Sequence, residues 1–195
     1  MNPLKSVTGT IVAGFILAII IGLVADGGFS LNLGSLIVWL HVFVGIIWIG
    51  LLYYFNFVQV PAVGAALADK EPGPAAINKY VAPRALLWFR WGAVATWITG
   101  VAMLETMKLG FIKTFLFQSD SLILSIGAWL GTIMLFNVWV LIWPNQKKIL
   151  GMVTADADTI AKAKGVALMA SRTNTLLSIP MLMCMVAFGH GGFAI

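Results

Sequence analysis

Five long apolar stretches limit what this chain can fold into more than any other feature of its sequence. They run roughly over 7–25, 34–58, 85–107, 121–143 and 174–192, and only the third carries charged side chains, Arg90 and Glu105. Each is long enough to supply the ~20 residues a membrane helix needs. Inside hydrocarbon every backbone N–H and C=O must find a partner within its own segment, so such stretches become helices. The expected fold is all-α, a polytopic transmembrane bundle of about five helices in a single domain over 1–195. Composition agrees. The chain is 61% hydrophobic and 10% charged, against about 45–50% and about 25% for ordinary soluble domains.

The first stretch has the look of a signal peptide. Its apolar core is long, however, and Leu23-Val24-Ala25 ahead of Asp26 and Gly27 is a poor cleavage site, so a retained helix is expected. Pro72, Gly73 and Pro74 mark a loop after the second helix, and Pro144 is expected to close the fourth. Lysine and arginine set the orientation. One side holds Lys5, Lys70, Lys79, Arg84, Lys147, Lys148, Lys162, Lys164 and Arg172, and the other holds Lys108 and Lys113. The N-terminus is therefore expected in the cytoplasm and the C-terminus in the periplasm of a bacterial inner membrane. The net charge of +5 is dispersed among these loops and forms no patch suited to nucleic acid. The lipid bilayer is the expected partner.

The loop after the fourth stretch is expected to hold a separate cytoplasmic helix over about 155–171. Asp156 and Asp158 stand near its start and Lys162, Lys164 and Arg172 follow, which suits the helix dipole. Asp158 and Lys162 are also spaced as a favourable i,i+4 pair.

His41 and His190 are the two histidines of the chain. By axial rise His41 lies ~7 Å outside the midpoint of the second stretch, and His190 ~10 Å outside the midpoint of the fifth. Two histidines on oppositely running helices thus reach a similar depth, as the axial ligands of a b-type haem would. Gly45, one turn below His41, leaves space for a flat ring, and Gly189, Gly191 and Gly192 flank His190. The bland alternative is a hydrogen bond from His41 to a neighbouring helix and an interfacial His190. An ionisable group inside a membrane is a candidate for function by default. Arg90 lies ~16 Å from the histidine level, by rise per residue, and either snorkels or binds an anion. Glu105 is nearer in depth and either partners the histidine site or ends its helix in solvent. Cys184 is the one cysteine, and no CxxCH occurs, which excludes covalently attached haem. Gly127 and Gly131 form a GxxxG suited to close helix contact.

Four groups of residues carry a family resemblance. They are HVFVGIIWIG over 41–50 with YYF over 53–55; WFRW over 88–91 with WITG over 97–100; NVW over 137–139 with IWPNQKK over 142–148; and SRTN over 171–174 with SIPM over 178–181. The chain resembles the N-terminal membrane domain of the bacterial membrane-bound urate hydroxylase (urate oxidase) family. The resemblance implies conversion of urate to 5-hydroxyisourate and electron transfer to a cytochrome c. No cytochrome c segment follows before Ile195, so electrons would pass to a separate cytochrome or quinone partner. Two functions are compatible with these residues: a haem-b membrane redox protein, and a non-catalytic accessory subunit of a larger respiratory or photosynthetic complex. The second does not require the histidine pair.

Overall fold

A computed structural model describes residues 2–25 and 32–192. Asp26 and Gly27, which follow the first expected helix, and residues 193–195, expected on the periplasmic side, lie outside the described residues. The described chain is helical, in agreement with the all-α expectation. It divides into two compact units, one up to Leu36 and the other from Ile37 onward.

The first unit holds a short 3-10 turn, Pro3–Lys5, followed by α1, Val7–Ala25, and the start of α2. Asn2 caps the 3-10 turn through a 2.9 Å bond from the Leu4 N–H.

In the second unit, α2 (Leu33–Tyr54) runs through a π-turn at Phe55–Gln59 into α3 (Val60–Asp69). A second π-turn, Ile77–Val81, leads into α4 (Ala82–Thr106), and α5 (Phe111–Phe115) is a short connector. Next, α6 (Leu122–Phe136) passes through a third π-turn, Asn137–Ile142, into α7 (Trp143–Ile149). The last element is α8 (Ala157–Gly189).

Proline explains where the helices widen. Pro61, Pro83 and Pro144 each stand at the second residue of the helix that follows a π-turn. A proline inside a helix has no N–H to donate, and its ring collides with the carbonyl four residues back. Opening the preceding turn to i→i+5 bonding relieves that conflict without ending the helix. Pro144 therefore does not close the fourth helix, which continues to Ile149. For the same reason the second expected helix runs on past Val58 to Asp69.

Residues 155–171 and 174–192 were expected as two helices. Residues 157–189 instead form one helix of 33 residues. Arg172 interrupts the apolar pattern but is exposed, and nothing between Ser171 and Asn174 breaks a helix. One face of α8 is a seam of mostly small side chains: Ala163, Ala167, Ala170, Asn174, Ser178, Met181, Cys184 and Ala187 are all buried. Small residues let helix backbones approach closely. A Cβ on Gly127 of α6 would lie 2.9 Å from the Cys184 Cβ, so Gly127 is the residue of the GxxxG that makes this contact. Gly131 has open space instead.

Hydrogen bonds run along the same seam. Asn137 donates to Asn174 Oδ1 at 2.8 Å, and Asn174 donates to the Met134 carbonyl at 2.9 Å. Asn56 donates to Ser171 Oγ at 2.8 Å, and the Tyr53 and Ser178 hydroxyls lie 3.0 Å apart. The apolar core beside them is built on Trp48, Leu52, Phe89, Met134 and Val138.

Three helical runs are long and apolar enough to cross a membrane: Val7–Ala25, Leu33–Asp69 and Leu122–Ile149. The second of these has 37 residues, about 55 Å at 1.5 Å per residue, which exceeds the ~30 Å hydrocarbon layer. Arg84, Arg90 and Glu105 dilute α4, while Arg172, Asn174, Ser178 and Pro180 dilute α8.

Candidate functional site

His41 sits on α2 with its ring against α4. Its Nδ1 lies 2.9 Å from the Thr96 carbonyl oxygen and 3.1 Å from the Thr99 hydroxyl. A carbonyl only accepts, so Nδ1 carries the proton. The Thr99 hydroxyl meanwhile donates to its own helix, at 2.7 Å to the Ala95 carbonyl. In the neutral ring this leaves Nε2 as an acceptor. Fixing one ring nitrogen on a backbone carbonyl is how proteins orient a histidine whose other nitrogen has work to do.

Gly100 allows the ring this close. A Cβ there would stand 3.1 Å from His41 Cε1 and 3.5 Å from Nδ1. Thr96, Thr99 and Gly100 share one face of α4 by their i, i+3, i+4 spacing. Gly45 serves another contact: a Cβ there would meet the Thr96 methyl at 3.8 Å, so α4 occupies the space expected for a flat ring.

His41 opens onto a cavity of about 80 Å³. Its walls come from α2 (Trp48), α4 (Thr96, Gly100, Leu104), α5 (Phe115), α6 (Leu124, Gly127) and α8 (Met185, Phe188). Trp48 is 2% exposed, and its indole N–H is one of the buried polar atoms without a hydrogen-bond partner among the described residues. The cavity thus sets His41 and Trp48 among mostly apolar walls. Sequence reasoning missed Trp48, although it stands two helical turns from His41 on the same face. It also missed the part played by Thr96, Thr99 and Gly100.

His190 does not line this cavity. It follows the last turn of α8, is exposed, and its Nδ1 lies 2.9 Å from the Val186 carbonyl of its own helix. Phe188 and Met185, just before it, do reach the cavity, so His190 stands at the same end of the unit as His41 without joining it. Cofactor sites commonly enclose about 300–1,000 Å³. This cavity is smaller than that, and the two histidines do not share it. Among the described residues no group of three or more His, Cys, Asp or Glu is placed to hold a metal ion.

The other candidates have structural employment. Glu105 is exposed and accepts the Phe111 N–H at 2.7 Å, tying α4 to the start of α5. The Arg90 guanidinium lies 3.8 Å over the Trp143 ring, a cation–π contact between α4 and α7.

Fold and site together define an all-helical membrane protein with a cavity lined by a half-buried histidine. Residues 105–193, a little under half of the chain, match the family model described as urate oxidase N-terminal. The matched segment supplies the α5, α6 and α8 walls of the cavity, while His41 and its α4 partners lie outside it. No curated protein and no solved structure matches the chain significantly.

Proposed function

We propose that the chain is a multi-pass inner-membrane redox protein of the urate-hydroxylase kind, with His41 as its functional histidine. The observation that carries this reading is the cavity itself: a segment similar to the urate oxidase N-terminal family closes around an oriented imidazole. Hydroxylating urate with water releases two electrons and two protons. A separate cytochrome or quinone would take the electrons, and an unprotonated Nε2 would take a proton. Five crossings with the N-terminus inside follow from the lysine and arginine asymmetry. The overhanging ends at α3, α7 and the start of α8 then fall on the lysine-rich side.

Haem b is the cofactor expected for such a role. His41 has the tautomer a ligand needs, and His190 would have to leave its bond to Val186 and enter the bundle. A reduced-minus-oxidised absorption spectrum of the purified protein tests this directly. A difference band lost in His41→Ala and unaltered in His190→Ala and Arg90→Ala supports a centre built on His41 alone. Conversion to a five-coordinate form in His190→Ala supports the histidine pair, and no band in the wild type removes haem from the proposal.

The small volume of the cavity favours a second reading, a non-catalytic subunit packed in a larger respiratory or photosynthetic complex. That reading predicts no redox spectrum and no effect of His41→Ala beyond stability.

A further inference from the structure

A second concavity lies away from His41, between α8 and the third π-turn. It is an open groove of about 610 Å³, with Lys162, Val166 and Met169 of α8 on one side and Asn137 and Leu141 on the other. From Lys162 to Thr173 the α8 wall is about 16 Å long. Gly165 forms part of the floor, and a Cβ there would meet no atom within 4 Å.

Charge gives the groove a direction. Lys162 stands at one end and is exposed, and the expected pair with Asp158 does not close: no carboxylate lies within 4.0 Å of Lys162 among the described residues. Lys147 and Lys148 occupy the last turn of α7, which packs against α8. The remaining length is apolar apart from Asn137 and Thr173 at the far end. Hence an exposed cation stands at one end of an open, mostly apolar groove about 16 Å long.

We infer that this groove binds one anionic phospholipid, with its phosphate at Lys162 and an acyl chain along Leu141, Val166 and Met169. Basic pockets between membrane helices on the cytoplasmic side select anionic headgroups by this combination. An apolar peptide would use the channel without needing the cation. A zwitterionic lipid would use it without preference.

The test is native mass spectrometry of the full chain released from bilayers of equal phosphatidylglycerol and phosphatidylethanolamine. The wild type is expected to retain phosphatidylglycerol preferentially. Lys162→Gln should reduce that preference roughly fivefold, the effect of one lysine facing an anionic headgroup. Lys164→Gln, outside the groove, should leave it unchanged. Gly165→Leu, at a position where a Cβ meets no atom within 4 Å, adds bulk to the groove wall and should lower retention of both lipids. Thermal unfolding confirms that each variant is folded. Retention of the two lipids in the bilayer ratio, or equal losses in Lys162→Gln and Lys164→Gln, would overturn the inference.

Discussion

At the scale of single residues, α4 holds the His41 ring closely. A Cβ at Gly100 would come within 3.1 Å of the imidazole. Gly100→Ala should therefore tilt the ring off the Thr96 carbonyl and cost about 1–3 kcal/mol, as overpacking does. Gly45→Ala makes an ordinary 3.8 Å contact and should be neutral or gain about 0.5–1 kcal/mol from lower backbone entropy. Thermal unfolding of the two variants in the same detergent separates them. The reverse order would mean that Gly45, not Gly100, guards the ring. His41 was legible in the sequence because an imidazole within an apolar run is expensive and rare. Its partners were not, because a threonine or glycine in a membrane helix is common and only the crossing of α2 with α4 brings them to the ring. Depth alone suggested the pairing with His190. Depth says nothing about whether a side chain points into the bundle, and the bond to Val186 keeps this ring at its own helix end.

At the scale of elements, hydropathy located the helices while their ends followed other rules. The π-turns had a signal in the three prolines, but a proline marks a disturbed helix without saying whether it stops or widens. Continuity of α8 was hidden by Arg172, whose charge ended the apolar run without affecting the backbone. The α6–α8 contact gives a prediction of its own. Gly127→Ala would push a Cβ to 2.9 Å from the Cys184 Cβ and 3.0 Å from the Met185 methyl. These helices should part slightly, at a cost of about 1–3 kcal/mol, whereas Gly131→Ala should be near neutral. Equal unfolding temperatures for the two variants would contradict the packing described.

The start of α8 should respond to pH. The Asp156 carboxylate accepts the Thr159 N–H at 2.6 Å, and that bond, with one from the Thr159 hydroxyl, holds its pKa below the ordinary carboxylate value. A depressed pKa means that the folded turn prefers the charged form. The stabilisation is complete at neutral pH and is lost as pH falls through the carboxylate range. Amide exchange over 157–160, corrected for intrinsic rate, should quicken on acidification. Asp156→Asn, a cap that does not titrate, should remove the dependence. Acid-induced exchange that persists in Asp156→Asn would place the sensitivity elsewhere.

At the scale of the whole molecule, an apolar composition and an all-helical fold were readable from the sequence, because lipid leaves a chain few alternatives. The number of crossings is less directly marked, since α4 and α8 carry the charged and polar residues that build the cavity and the hydrogen-bonded seam. Reporter fusions at Lys147 and after Ile195 should lie on opposite sides of the membrane, and the same side for both would contradict five crossings. Function requires one further step. Membranes containing the chain, supplied with urate and oxidised cytochrome c, should lose urate and reduce two equivalents of cytochrome for each molecule consumed. His41→Ala should abolish both while leaving the protein in the membrane at its normal level. Urate consumption that stays at the His41→Ala background in the wild type would contradict the account.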